Sequence, residues 1–454
     1  MTITIVALYV LVQLGIAAWI ARHTASEADY LVAGRSLGVF AVGMSLFSTW
    51  FASESVIATS AEVAANGMAG ARVEPLAFGL GILLLGLLFA ARLRAGEHLT
   101  LAGFFRQRFG AGTERLSAVA IAISGMVWAS AQLFALATIL AATTDITFMQ
   151  ALIAATTLVL TYTLLGGLLG DVVTDIVQGG ILVIGLAVMF VLMLDAAGGL
   201  VAAIERIPPD KWGFNLPHET LFDRIEVWIV PIFASIVAQE AISRTLAART
   251  PAVARKGAIL GALLYVAACI FPIAFGLIGG QLGLALGEGD RFMADLAVAL
   301  LPPWLHIVFT GALLSAILSS VDSALLAVSA VATDSGYAQW RPQASPRQKL
   351  VVARIATVVA GLLAASVAAA GDSLRELVLA SAAIGGIVAV PLVLGLSSRI
   401  GGRLAGMVSI TAQSVVFIVC DWIAGLPGAF VYSIAAGCVG YAIGVAVERR
   451  QSGV

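Results

Sequence analysis

The sequence is poor in the residues from which most catalytic and metal sites are built. Only 11% of its 454 residues are charged, and it contains three cysteines and four histidines. The cysteines lie in apolar segments without CxxC spacing and the histidines are scattered, so neither a disulfide nor a structural metal site is expected. No glycine-rich phosphate loop supports an ATP-driven pump and no catalytic dyad points to an enzyme, so we expect neither.

Apolar residues are abundant instead, at 60% of the chain. Segments of about 20 apolar residues recur, each long enough to cross the hydrocarbon core of a bilayer. The first of them lacks the basic start of a signal peptide and precedes a multispanning core, so we expect it to be retained. The sequence therefore predicts an all-α polytopic membrane protein with about 13 transmembrane helices, at 2–21, 38–65, 75–92, 115–142, 147–165, 172–196, 224–244, 256–280, 304–336, 350–370, 374–397, 402–423 and 428–447.

The basic residues are sorted between the two sides of this arrangement. With the N-terminus outside, the inner segments carry 19 of the 25 Lys and Arg residues and the outer segments carry 6. The positive-inside rule therefore places the C-terminus in the cytoplasm. The high Ala content and only three lysines indicate a bacterial source, and hence the inner membrane. Residues 99–110 predict an amphipathic helix on the inner membrane surface, and the outer loop 197–223 predicts a solvated connector.

The stretch 311–337 can span a bilayer, yet its middle is polar. Its polar residues are Ser315, Ser319, Ser320, Asp322 and Ser323. Ala316, Ser319, Ser320 and Ser323 share one helical face, with Asp322 beside it. A carboxylate at this depth costs several kcal/mol unless it is paired, protonated or bound to a cation. Hydroxyl and carboxylate oxygens suit Na⁺, which favours an ion site; the alternative is that the serines only allow close helix packing.

Two predicted spans look discontinuous. Hydroxyl groups crowd 45–55 in the second span, where they compete with backbone hydrogen bonds. The seventh span contains Pro231, which removes a helix hydrogen bond, followed by Gln239 and Glu240. These spans are five apart in order, as two inverted five-helix repeats would require. The alternative is that each is an ordinary kinked helix.

The sixth span follows a predicted tight inner turn at Gly166 and Gly167. Asp171 is interpreted as a helix-start residue, where a carboxylate interacts favourably with the helix dipole. Asp175 lies one turn deeper and needs a partner. The candidates are a second cation, a proton relay, or a local hydrogen bond to Thr174 or Gln178.

Four motifs in this order and spacing resemble the sodium/solute symporter family: DYLVAGRSLG (29–38), GGLLGDVVTDIVQ (166–178), AQEAISRTLAA (238–248) and SAILSSVDSALL (315–326). The resemblance covers nearly the whole chain and implies a LeuT-type fold. It implies an extra N-terminal helix and inner loop at 1–37, a first inverted repeat at 38–198 (helices 2–6) and an outer loop at 199–222. A second inverted repeat then occupies 223–398 (helices 7–11), and helices 12 and 13 lie in 399–454.

The resemblance also implies where ions would bind. A main sodium site would take oxygens from Ser48, Phe51, Ala316, Ser319 and Ser320. A second sodium site, or a proton site, would use Asp175, Ser319, Asp322 and Ser323, with Asp322 standing where members often have a serine or another small residue. Na⁺ is the implied coupling ion, and no other cofactor is expected.

The choline-transporter branch of the family resembles this chain most in STWFASESV, MVWASAQLFALATIL and FFRQRFG. Quaternary ammonium groups are usually bound in aromatic boxes. Trp50 and Trp128 match tryptophans of that branch, although helix packing would also explain them. Ala238 replaces an expected box tryptophan, which puts choline itself in doubt, whereas Glu54 and Glu240 favour a cationic solute. The predicted substrate-binding residues are Trp50, Glu54, Ser55, Trp128, Gln132, Gln239 and Glu240.

The sequence thus predicts a sodium-coupled symporter that imports a small organic solute by alternating access, with a choline-like cation favoured. A proline-like amino acid, a pantothenate-like acid or a sugar are alternative solutes. A stand-alone membrane sensor and a channel are alternative classes. The expected partners are Na⁺, the solute and the lipid bilayer, not nucleic acid.

Overall fold

The computed structural model describes residues 15, 27–144 and 146–452. The predicted first span, 2–21, lies outside these residues except for Gly15. Throughout the described part the regular elements are helices, apart from one bridge between Leu37 and Ala248. The all-α class is therefore confirmed.

The helices of the first half follow one another with short connections. They are α1 (Glu27–Val32), α2 (Val39–Trp50), α3 (Thr59–Asn66), α4 (Phe78–Leu84), α5 (Ala90–Ala95), α6 (Leu101–Phe109), α7 (Ala111–Thr143), α8 (Phe148–Ala196) and α9 (Leu200–Glu205). A wide helical turn at Glu54–Ala58 leads into α3, and another at Leu85–Phe89 joins α4 to α5.

The second half is helical as well. Its helices are α10 (Leu221–Val237), α11 (Gln239–Leu246), α12 (Pro251–Ala268), α13 (Ile270–Gly279), α14 (Phe292–Leu300), α15 (Pro303–Val331), α16 (Ala338–Trp340), α17 (Pro346–Ala370), α18 (Leu374–Gly386), α19 (Ala389–Ser397), α20 (Arg403–Phe417) and α21 (Ala429–Ser452). Ser and Thr caps begin several of them: Thr220 and Ser345 form capping boxes with Asp223 and Gln348.

Eight helical stretches among the described residues are long and apolar enough to cross a membrane, or ten if each bent pair forms one span. Two shorter apolar helices, Val39–Trp50 and Phe148–Leu164, come in addition. The count of 13 spans stays a prediction. Part of the difference arises because one counted stretch, Glu54–Ala95, contains the predicted span 75–92 and the second part of the span 38–65. The predicted spans 147–165 and 172–196 follow each other along α8, which bends at Gly167 (φ 57°, ψ −173°).

The bend at Gly167 confirms the turn predicted there. A Cβ atom at this position would lie 2.7 Å from the ring of Tyr30, so a side chain would clash as well as strain the backbone. The glycine therefore lets α1 pack against the turn.

Both predicted discontinuous helices are broken. After α2 the backbone of Phe51 leaves helical geometry (φ −91°, ψ 67°). The second break is at Ala238 (φ −59°, ψ 116°), where α10 and α11 meet at 40°. Pro231, the residue predicted to interrupt the seventh span, lies inside α10, which continues for six more residues; one missing donor does not stop a well-packed helix. The structure adds a third break of 44° between α18 and α19, within the predicted continuous span 374–397.

Helix α15 contains the polar stretch and is the centre of the bundle. The membrane-spanning window of this helix is entirely buried, and α15 packs against α7 and α8. Helix α2 packs on α12 and also contacts α8 and α15. Helix α11 contacts α15 as well, so the helices that adjoin both breaks pack against α15.

Two peripheral predictions need correction. Helix α6 is amphipathic, but Phe105 and Phe109 are buried against protein, and the Phe109 ring meets Tyr441 edge-on at 6.1 Å. Its apolar face thus packs on the C-terminal helices, so it is not available to lipid. The outer loop is also more than a solvated connector, because Lys211 Nζ donates to the carbonyl oxygens of Ala64 and Ala65 at the end of α3.

Candidate functional site

A completely buried ion-pair network lies at the centre of the molecule. Nη2 of Arg244 in α11 is 2.7 Å from Asp171 Oδ2 and 3.1 Å from Asp175 Oδ2, and none of the three side chains is exposed. Asp171 is therefore an ion-pair partner, not only a helix-start residue. The partner that Asp175 needs is Arg244. The positive-inside rule counted this arginine among the basic residues of the inner segments.

Serines complete this network from two other helices. Arg244 Nε donates to Ser45 Oγ at 2.8 Å, and Nη2 donates to Ser323 Oγ at 2.6 Å. Ser319 and Ser45 both donate to the Asp175 carboxylate. A buried charge is tolerable only when it is paired and hydrogen-bonded, and here α2, α8, α11 and α15 together meet that condition.

The residues predicted for the main sodium site converge next to this network. Ser320 Oγ donates to the carbonyl oxygens of Thr49 (3.0 Å) and Ala316 (3.2 Å), which links α15 to the end of α2. Ser48 Oγ donates to the Asp175 carbonyl oxygen at 2.7 Å, and Phe51 supplies the backbone break. Neutral hydroxyl and carbonyl oxygens are the hard ligands that a small hard cation prefers, and α2, α8 and α15 each bring some to this region.

The residues predicted for the second site are separated. Asp175, Ser319 and Ser323 belong to the Arg244 network. Both carboxylate oxygens of Asp322 are buried without a hydrogen-bond partner in the described part of the chain. Thr163, which faces Asp322, donates its hydroxyl to the Val159 carbonyl oxygen.

Four predicted substrate residues, Trp50, Trp128, Gln239 and Glu240, line one cavity. The ring centroid of Trp50 lies 5.6 Å from that of Trp128 and 5.1 Å from that of Phe78. The cavity measures about 20 Å³, room for about one water, so a solute could enter only if the rings part. Both indole nitrogens are buried and find no acceptor among the described residues.

Gln239 lines this cavity, yet its amide is already used. Its Oε1 accepts a hydrogen bond from the Leu101 backbone N–H at 2.8 Å, and its Nε2 donates to Ser243 Oγ at 3.0 Å. The amide thus ties α11 to the start of α6.

The other three predicted substrate residues meet two residues that the sequence analysis did not identify, Glu74 and Tyr265. Gln132 Nε2 donates to Glu54 Oε2 at 2.7 Å. Ser55 Oγ donates to Glu74 Oε2 at 3.2 Å, and the Tyr265 hydroxyl donates to the same oxygen. The second oxygen of each glutamate is buried and has no partner in the described part of the chain. The sequence held two signals for them: Glu74 directly precedes the predicted span 75–92, and Tyr265 is the one tyrosine in the predicted span 256–280.

A large open cavity, the vestibule, lies on the side with few basic residues. It has a volume of about 540 Å³ and is lined by six acidic side chains and two arginines, namely Glu62, Glu219, Asp223, Glu226, Glu376, Asp421, Arg72 and Arg375. Below it, a cavity of about 30 Å³ is lined by Glu54 and Glu74. Arg375 Nη1 pairs with Glu62 Oε1 at 2.9 Å, and both residues line both cavities. This pair therefore separates the vestibule from the two buried glutamates.

The opposite side is held together by direct contacts. Leu37 exchanges backbone hydrogen bonds with Ala247 (3.1 Å) and Arg249 (3.0 Å). Thr100 Oγ1, which caps α6, donates to Asp334 Oδ2 at 2.8 Å. The vestibule is thus a wide approach from one side, whereas these contacts tie the elements of the opposite side together.

Helices broken at mid-bundle around polar groups, with access from one side, are the architecture of a secondary transporter. The model of the sodium:solute symporter family matches residues 30–419, and the chain belongs to this family. The expectation of a multi-pass membrane transporter, and not an enzyme, is thereby confirmed. Na⁺ fits this family as the coupling ion.

Curated relatives include transporters of different solutes. High-affinity choline transporter 1 of Torpedo marmorata is 25% identical over 80% of this chain and 66% of its own length. The sodium/proline symporter of Salmonella typhimurium is 25% identical over 97% of this chain and 91% of its own length. The chain spans about two thirds of the length of the choline transporters it matches.

Solved structures show the same fold. A substrate-bound, outward-open sodium-coupled sialic acid symporter superposes with a TM-score of 0.87 at 17% identity, covering 98% of this chain and 97% of its own. A closed transporter of the nucleobase-cation-symport-1 family gives 0.63 at 14% identity, covering 94% and 96%. The LeuT-type fold is thereby confirmed, whereas the assignment of individual helices to repeats stays a prediction.

Proposed function

We propose that this chain is a sodium-coupled symporter that imports a small organic cation of the choline type. It would work in a bacterial inner membrane, with the N-terminus outside and the C-terminus in the cytoplasm. The observation that carries the proposal is the pair of buried glutamates, Glu54 and Glu74, each with a free oxygen, on the path from an acidic vestibule.

A cationic solute would satisfy these groups. Buried carboxylates without partners are costly, and a ligand with positive charge removes that cost when it binds. The neighbouring cavity adds the faces of Trp50, Phe78 and Trp128, and aromatic faces attract quaternary ammonium groups. The unpaired indole N–H groups could donate hydrogen bonds to an acceptor oxygen, which the hydroxyl of a choline-like solute would provide.

Sodium would act between α2 and α15. Held by the Ser320 hydroxyl and the carbonyl oxygens around the Phe51 break, it would stabilise the state that is open to the vestibule. Solute binding then lets the repeats rock and the contacts of Leu37 and Thr100 separate. One Na⁺ that enters down 100 mV contributes about 2.3 kcal/mol before any concentration gradient.

Thermal unfolding of the purified protein tests the proposal with choline, betaine, proline, pantothenate and glucose, each in Na⁺ and in K⁺. We expect choline to raise the unfolding temperature in Na⁺ only, since a ligand at a hundred times its Kd stabilises the folded state by about 2.7 kcal/mol. Glu54→Gln should reduce this shift to about half or less, because a tenfold loss of affinity lowers the stabilisation to about 1.4 kcal/mol, whereas Glu205→Gln, which alters an exposed carboxylate in α9, should preserve it. If only a neutral or anionic solute raises the unfolding temperature, the proposal that the solute is an organic cation is wrong. If Na⁺ does not change the unfolding temperature under any condition, the proposal of sodium coupling is wrong.

Proline is the second candidate solute. Two indole donors suit a carboxylate, and the chain aligns with the sodium/proline symporter over 97% of its length. If proline stabilises the protein more than choline does in the same set of thermal unfolding measurements, proline is the better candidate solute. Sodium-dependent, saturable uptake into proteoliposomes would distinguish a symporter of either kind from a sensor.

A further inference from the structure

The second sodium site that the family resemblance implies is built here around a side-chain cation. Three of its four residues, Asp175, Ser319 and Ser323, lie in the Arg244 network. Asp322, the fourth, makes no hydrogen bond to any of them. The expected ligand set therefore does not come together as an ion site.

The guanidinium occupies the space between these oxygens. A single nitrogen, Arg244 Nη2, lies 2.7 Å from Asp171 Oδ2, 3.1 Å from Asp175 Oδ2 and 2.6 Å from Ser323 Oγ. The remaining donors are fixed as well, with Nη1 on the Glu240 carbonyl oxygen at 3.0 Å and Nε on Ser45. An ion among these oxygens would have to displace the guanidinium.

Each oxygen of both carboxylates also faces at least one donor. Asp175 Oδ1 accepts from Ser319, and its Oδ2 accepts from Ser45 and Arg244. Asp171 Oδ2 accepts from Ser323 and Arg244, and its Oδ1 accepts a longer bond from Ser319 at 3.4 Å. All four carboxylate oxygens thus have donors, in contrast to those of Glu54, Glu74 and Asp322, which keep free oxygens.

We infer that the guanidinium of Arg244 takes the place of a second sodium ion, so that a single Na⁺ is coupled to each solute. The inference rests on the proposed sodium-coupled symport and defines its ion stoichiometry. Arginine stays charged at all physiological pH values and cannot dissociate, so this cation remains at its site throughout the cycle.

Equilibrium binding of ²²Na⁺ to the purified full chain tests this inference. We expect one Na⁺ per chain for the unmodified protein and for Arg244→Lys. Arg244→Met should bind two, because it opens a cavity lined by two aspartates. Arg108→Met is the matched control, since it removes another arginine that is held by backbone carbonyl oxygens, those of Ser398 and Gly401, away from this centre, and it should leave the number at one.

Two ions on the unmodified protein would overturn the inference while leaving symport intact, and so would one ion on folded Arg244→Met. If Arg244→Met does not fold, Arg244→Met/Asp171→Asn keeps the formal charge of the cluster at −1 and should bind two ions; one ion there would overturn the inference equally. No ion on the unmodified protein would instead overturn the sodium coupling itself.

Discussion

Replacing Ser320 by alanine should weaken sodium binding more than replacing its neighbour Ser319. The Ser320 hydroxyl bridges the carbonyl oxygens of Thr49 and Ala316, where α15 meets the broken end of α2. Hydrogen bonds to charged groups contribute about 1.5–3 kcal/mol, and a lost ion–hydroxyl contact should cost a similar amount. Since about 1.4 kcal/mol is tenfold in affinity, Ser320→Ala should raise the half-saturating Na⁺ concentration at least about tenfold.

Ser319 should behave differently because its hydroxyl is committed to Asp175, which keeps Arg244 and Ser45 as partners. Its alanine variant should lose about 1 kcal/mol of stability with a smaller change in sodium affinity. The double variant should show at least the tenfold loss.

The assay is solute uptake into proteoliposomes as a function of Na⁺, beside sodium-dependent thermal unfolding of the same preparations. Ser329→Ala is the control, because Ser329 lies on the same helix and donates to the Ala353 carbonyl oxygen at 2.7 Å, away from the site. Unchanged sodium dependence in the Ser319→Ala/Ser320→Ala double variant would refute the site assignment. An equal loss in Ser329→Ala would show that general destabilisation of α15 was being measured.

Three further outcomes are expected. Glu54→Gln should lower the affinity for a cationic solute about tenfold or more and leave a neutral ligand unaffected, as read by calorimetric titration. Asp322→Leu should raise the free energy of unfolding by about 1–3 kcal/mol, because it replaces an unpartnered buried carboxyl group with an apolar side chain of similar size; a decrease in denaturant unfolding would contradict this. Hydrogen bonds from Arg72 hold the pKa of Glu219 below its usual value, so their stabilisation is present above about pH 4.5 and lost as the pH falls further. Glu219→Gln should therefore lose less stability on acidification than the unmodified chain.

The sequence could predict the parts of the site that stand out from an apolar background. Ser319, Ser320 and Asp322 interrupt a membrane span, and hydroxyls crowd the second span near its break, so both features are recognisable in the residue pattern alone. Spacing of 3.6 residues placed the serines on one face, and burial confirms that this helix is the core.

The partners across the bundle could not be predicted in the same way. Arg244 lies near the inner end of a predicted span, where arginines normally face the cytoplasm, and its partners are 69 and 73 residues away in the chain. The residues around Arg244 do not indicate that α11 directs this side chain into the bundle after the bend at Ala238. Glu74 was missed for a related reason: its proximity to Glu54 depends on how the segment Arg72–Ala77 folds back beside the turn Glu54–Ala58.

The excess of carboxylates in the vestibule bears on the speed of capture as well as on affinity. A concave surface of one sign with low-dielectric walls focuses field lines, and can raise the local concentration of counter-ions and their association rate by about 10 to 1,000-fold. Sodium and an organic cation would both be enriched there before either reaches Glu54, while anionic solutes would be repelled at the entrance. Because such steering is screened over about 8 Å at physiological ionic strength, inert salt at constant Na⁺ should slow initial uptake long before it affects the turnover of a loaded carrier.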